Sequence, residues 1–129
     1  MIKTIPIKTT RINFFREYLT LLLPILERKV FNTKISKKEI DVLAALLYYN
    51  NEYKGIPEDL RWKLVFDQET KVKIRTHLKM DRASFDNYLS SLRKKGALKG
   101  YSGIHPVLST NLPENTKEVM LEFKFTIDE

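Results

Sequence analysis

Between residues 78 and 98 the chain reads LKMDRASFDNYLSSLRKKGAL. Phe85, Tyr88, Leu89 and Leu92 fall at i, i+3, i+4 and i+7, the spacing of one face of a helix. Asp81 stands where an N-cap belongs, because its carboxylate can accept the unpaired backbone N–H groups of a first turn. Gly96 stands one step past the last periodic residue, where a left-handed C-terminal position favours glycine, and Arg93, Lys94 and Lys95 just before it suit the negative end of the helix dipole. The spacing predicts a helix from about 82 to 95, entered through a tight break at Met80–Asp81–Arg82.

Upstream of the break, Asp67 can cap another helix running to about Lys79, with Ile74 and Leu78 on its inner side. Pro57 suits the first turn of a short helix through Glu58, Leu60, Trp62 and Val65, after a loop containing Gly55. Ser36 and Glu39 form a capping box, and Ile40, Leu43, Ala44 and Leu47 continue as an amphipathic helix ending near Asn50 and Asn51. Asn13 to Lys29 reads as a further helix, capped by Asn13 and kinked or broken at Pro24. Its apolar residues cover more than one stripe, so it is either a central core helix or one with a side covered by a partner subunit.

Downstream of Gly96 the period changes. Ala97 to Tyr101 and Ile104 to Leu108 read as strands turning at Gly103. Ser109 to Thr116 is a polar loop. Val119, Leu121, Phe123, Phe125 and Ile127 alternate with polar or flexible residues, as in a half-buried strand. Ile2 to Lys8 reads as a short edge strand or an extended arm around Pro6.

Charge is concentrated. The chain carries +7. The window from Lys71 to Gly100 holds nine basic residues against two acidic ones, Asp81 and Asp86, so the remaining 99 residues balance to zero. A basic window of this kind attracts polyanions through Coulomb forces and counterion release.

The segment resembles the helix-turn-helix of winged-helix proteins. Leu78, Phe85, Leu89, Leu92, Gly96 and Leu98 match the positions at which that family places the apolar residue before the turn, the inner face of the recognition helix, the closing glycine and the start of the wing. The match is close over about a third of the chain and extends to about two-thirds with the capping-box helix and the following hairpin. The Lys-, Asn-, Ile- and Tyr-rich chain is also similar to small winged-helix proteins of large tailed phages.

The resemblance implies an α+β fold: a mostly helical winged helix-turn-helix over 34–129, with a C-terminal β-hairpin or small antiparallel sheet, and an N-terminal arm and extra helix over 1–33. It implies double-stranded DNA as partner. The helix surface opposite Phe85 would show Arg82, Ala83, Asp86, Asn87, Ser90 and Lys94. Arginine reads guanine and asparagine reads adenine in the major groove, which suits Arg82 and Asn87 to base edges, with Ser84 and Ser90 on bases or phosphates. Lys71, Lys73, Arg75, Lys79, Arg93, Lys94, Lys95 and Lys99 would hold the backbone. Ser102 and Gly103, or the Ser109–Thr116 loop, would form the wing tip. Asp86 opposes this reading by setting a negative charge in a negative groove. The expected roles are transcriptional regulation or DNA packaging, as a homo-oligomer or larger assembly joined through the Asn13–Lys29 helix. The alternative is a structural component of a phage neck, tail or virion that uses the same module for protein contacts.

Other classes are disfavoured. The absence of cysteine removes disulfides, thiolate nucleophiles and cysteine zinc sites. His77 and His105 lie in different elements with no metal-ligand spacing. Glu58 and Asp59 read as acids at a helix N-terminus. There is no glycine-rich phosphate loop, and no Ser-His-Asp set or cofactor motif emerges, so no enzyme is expected. The longest apolar stretch, Leu19 to Leu26, is shorter than a bilayer span and is interrupted by Pro24. With no signal-like N-terminus, the expectation is a protein of the cytoplasm, or of the host cytoplasm or virion if phage-encoded.

Overall fold

The computed structural model describes residues 1–100 and 103–128. Five α-helices run in order: α1 (Arg11–Leu26), α2 (Lys37–Glu52), α3 (Glu58–Val65), α4 (Gln68–Leu78) and α5 (Arg82–Lys94), with a π-helical turn at Glu27–Phe31 and a 3₁₀ turn at Pro106–Leu108. α2 is the hub, packed against α1, α3, α4 and α5. Val42, Leu43, Leu46 and Leu47 are buried on several sides of it, as a helix surrounded by others requires.

The local signals set most boundaries. The Ser36–Glu39 box is closed in both directions: the Glu39 backbone N–H donates to Ser36 Oγ at 3.2 Å and the Ser36 N–H donates to Glu39 Oε1 at 2.8 Å. Asp67 and Asp81 cap α4 and α5 by accepting from the N–H groups of Thr70 and Ser84 at 2.9 and 2.7 Å. Gly96 closes α5 in the left-handed region, at φ +84°. α1 begins two residues before the expected cap, because Thr10, not Asn13, accepts the first free donor: the Asn13 N–H reaches Thr10 Oγ1 at 3.3 Å. Pro24 does not end α1, which stays α-helical to Leu26 before widening into the π turn that closes at left-handed Asn32. Glu27 Oε1 then accepts the Ile35 N–H at 2.8 Å and ties this turn to the start of α2.

Phe15, Leu19, Leu23 and Leu26 of α1 join the α2 residues in one core, so α1 belongs to the same packed body as the other four helices. Leu21 and Ile25 of α1, and Val30 of the π turn that follows it, remain partly exposed.

The expected α+β architecture is overturned. The fold is all-helical, with no strand, sheet or hairpin among the described residues. Leu98 and Ile104 form one isolated antiparallel bridge, flanked by hydrogen bonds from Lys99 N to Gly103 O at 2.9 Å and from His105 N to Ala97 O at 2.8 Å. The ladder stops there because the Ala97 N–H, which would answer His105, is committed to Leu92 O at 3.0 Å, and the chain coils instead. The Val107 N–H donates to His105 Nδ1 at 3.1 Å and the Leu108 N–H to His105 O at 2.9 Å. Ala97, Leu98, Ile104 and Leu108 are nonetheless buried, so their apolar character serves the helical core rather than a sheet. Neither Val119 to Ile127 nor Ile2 to Lys8 forms a strand. Tyr101 and Ser102, at the end of one expected strand and the expected wing tip, lie outside the described residues.

The Ser109–Thr116 loop is pinned to the helices. Asn51 exchanges two hydrogen bonds with the Leu112 backbone, both 3.0 Å long.

Candidate nucleic-acid interface

α4 ends in a compact turn. Lys79 is left-handed at φ +56°, and the Met80 N–H closes back onto Arg75 O at 2.9 Å. This six-to-one bond satisfies carbonyls that the helix end would leave orphaned. Asp81 starts α5 two residues later. The Asp81 carboxyl is held below its ordinary range, first by the Ser84 N–H it accepts.

α5 separates its two faces cleanly. Phe85, Leu89 and Leu92 are buried at 0, 1 and 0% exposure. Ala83, Asn87, Ser90 and Lys94, at i, i+4, i+7 and i+11, form one stripe down the opposite side, and all four are exposed. The side chains of Asn87, Ser90 and Lys94 are engaged by no other described residue. Arg82 flanks the stripe, exposed, with its Nε 3.8 Å from Asp86 Oδ2; an exposed pair at this distance is weak. Ser84 is half-buried at the first turn.

The remaining candidates divide. Lys73 is exposed and lies 3.9 Å from Glu69 on the same helix. Lys71 and Arg75 are half-buried on α4, while Lys79 and Lys99 are exposed at the ends of α4 and beyond α5. Arg93 turns inward: its guanidinium carbon sits 5.8 Å from the centre of the Phe66 ring and its Nε donates to Gly100 O at 2.9 Å. Lys95 also has a structural post. Its ammonium donates to Glu39 Oε1 at 2.6 Å and to Lys34 O at 2.8 Å. Arg93 and Lys95 thus fasten α5 to its neighbours, whereas Lys94 and Lys79 are exposed and Arg82 is held only in its weak pair with Asp86.

Glu39 was missed as part of this site. Beyond its capping role it accepts from Lys95 and, through Oε2, from Ser91 Oγ at 2.7 Å. Its side chain is 3% exposed. The sequence carries no signal for this, since Ser91 and Lys95 lie far along the chain. The Lys34 backbone carbonyl was missed for the same reason: folding brings it to the Lys95 ammonium.

His77 is exposed on α4, and His105 caps the 3₁₀ turn. No group of three His, Asp or Glu among the described residues could hold a metal ion. A cleft of about 210 Å³ between α1, α2 and α4 is lined by Asn13, Arg16, Asp41, Tyr48 and His77 among others, smaller than the roughly 300–1,000 Å³ of ligand pockets. No helix among the described residues is long and apolar enough to cross a membrane. No family model matches this chain, and comparison with curated proteins and with solved structures found no match.

Proposed function

We propose that this chain binds double-stranded DNA through a helix-turn-helix formed by α4, the Lys79–Asp81 turn and α5. The observation that carries the reading is the outward stripe of α5, which stays uncovered by the rest of the chain while the inner side is locked into the core. A single exposed helix of this kind fits a major groove about 12 Å wide. Asn87 would accept and donate on adenine, Arg82 would exchange Asp86 for guanine, and Lys94, Lys79 and Lys99 would meet phosphates on either side. The positive excess of the 71–100 window supplies the long-range attraction. A regulator of transcription and a DNA-packaging factor would use the same surface.

The test is a salt titration on mixed-sequence duplex DNA. About 6 phosphate contacts would weaken binding roughly a thousandfold between 50 and 200 mM salt. Absence of binding at low salt refutes the reading. It would leave the second one, a structural module of a larger assembly, which draws on the exposed apolar residues of both arms, such as Ile2, Ile5, Phe125 and Ile127.

A further inference from the structure

The two arms leave the body from one point. The Arg11 guanidinium, at the start of α1, donates to the carbonyls of Leu112 and Pro113 at 3.0 Å, Glu114 at 3.1 Å and Thr116 at 3.4 Å. Met1–Thr10 runs toward this clamp and Lys117–Asp128 runs away from it, so the arms are antiparallel wherever they lie side by side. Neither contains a helix or a strand, and every residue in both is exposed.

Their chemistry is that of unpaired strands. Drawn out as a strand, the carboxyl-terminal arm would place Val119, Leu121, Phe123, Phe125 and Ile127 on one side, by the two-residue period of such a chain. Ile5 and Ile7 would share a side in the other arm, and Pro6 restricts that arm to an edge position. The charges are complementary: Lys3 and Lys8 are the charged side chains of the first arm, while Glu118, Glu122 and Asp128 outnumber Lys117 and Lys124 in the second. One two-stranded ribbon is marginal in water, and it would still leave its apolar side wet. A second copy of the same ribbon is self-complementary and covers that side about a twofold axis.

We propose that the two arms of each chain pair as an antiparallel ribbon and that the ribbons of two copies stack face to face, with Val119, Leu121, Phe123, Phe125 and Ile127 of each copy against the other. The apolar side chains brought together amount to on the order of 600 Å² per copy, the lower range of stable interfaces. Phe125 and Ile127, at 89 and 84% exposed, are the most open of the five, while Val119, Leu121 and Phe123 are 46, 40 and 48% exposed, close to Leu21 and Ile25 of α1 at 42 and 41%, so the two surfaces are separated by substitution. The proposal does not depend on α5 binding DNA.

Sedimentation of the full chain over a broad concentration range tests it, with amide exchange as a second readout. The expected result is a reversible dimer whose amides at 119–127 are protected as it forms. Phe123→Lys with Phe125→Lys weakens the dimer by roughly a hundredfold or more. Both positions lie outside the core, so the helical circular dichroism stays unchanged. Leu21→Lys with Ile25→Lys leaves the dimer constant as it was. A wild type that stays monomeric throughout overturns the proposal. So does a dimer that survives the phenylalanine substitutions or is dissolved by those in α1.

Discussion

Glu39 and Lys95 meet at 2.6 Å although 56 residues separate them. The same carboxylate closes the capping box of α2 and accepts from Ser91, so one buried side chain ends one helix and fixes the rotation of another. With Phe85, Leu89 and Leu92 holding α5 from below and Arg93 resting on Phe66, the direction in which Asn87 and Lys94 point is set by packing on three sides.

This arrangement predicts a specific acid sensitivity. Burial alone would raise the Glu39 carboxyl, but the hydrogen bonds from Lys95, Ser36 and Ser91 outweigh it and hold the group below the ordinary glutamate range. The unfolded chain therefore takes up the proton more readily than the folded one. The stabilisation is fully present above the unfolded value of about 4.3 and is lost as pH falls through the lower folded value. Glu39→Gln removes this acid-side slope. Glu39→Ala leaves the Lys95 ammonium and a helix-start N–H without their partner, and costs about 3 kcal/mol at neutral pH. Denaturant unfolding at neutral and acid pH measures both; identical acid slopes for wild type and Glu39→Gln would deny the carboxylate this role.

Lys94 and Lys95 are neighbours in sequence with opposite expected behaviour. Lys94 is exposed on the stripe, whereas Lys95 is committed to Glu39 and the Lys34 carbonyl. Lys94→Ala should reduce the salt slope of DNA binding by about 1 with stability unchanged. Lys95→Ala should lower the melting temperature and leave the slope nearly as it was. Paired salt titrations and thermal scans distinguish them, and a reversed pattern would mean that α5 is rotated from the orientation described.

Arg82, Asp86 and Asn87 make the base-reading claim testable from both directions. Asn87→Ala should cost roughly 1–3 kcal/mol on a preferred site and relax the preference at one base pair. Asp86→Ala should tighten binding to DNA of any sequence, because it removes a negative charge and releases Arg82 from its ion pair. A competition assay with random duplexes reads both effects. Asp86→Ala weakening the binding would place this face away from the phosphates.

The features legible in the sequence are those that depend on neighbours a few residues apart. Ser36 with Glu39, Asp67, Asp81 and Gly96 each act within one helical turn, and each marks its element as expected. The errors come from longer range. A strand needs a partner, and alternation at 119–127 cannot state whether the chain contains one. The pair Ala97–Leu98 is apolar because it is buried under the helices, a cause that leaves the same imprint on the sequence as a wing. Counting charge along the chain gives no sign that Lys95 meets Glu39 and the Lys34 carbonyl, since nothing local connects them. The Arg11 clamp on four carbonyls more than a hundred residues away is equally invisible.

Lys79 carries the last prediction, because two properties meet at one exposed residue. Its left-handed backbone, φ +56°, is what lets α4 stop and α5 begin three residues on. A side chain in that region costs on the order of 1 kcal/mol that glycine avoids. Lys79→Gly should therefore raise the melting temperature by a few degrees, and Lys79→Val, with a branched β-carbon, should lower it. The same Lys79→Gly change removes a cation beside α5, so on the proposed function DNA affinity and its salt slope should fall while stability rises. Opposite signs from one substitution cannot arise from general unfolding. A glycine variant that is less stable would show that the turn is not left-handed at this residue, and one that is more stable with unchanged DNA binding would remove Lys79 from the interface.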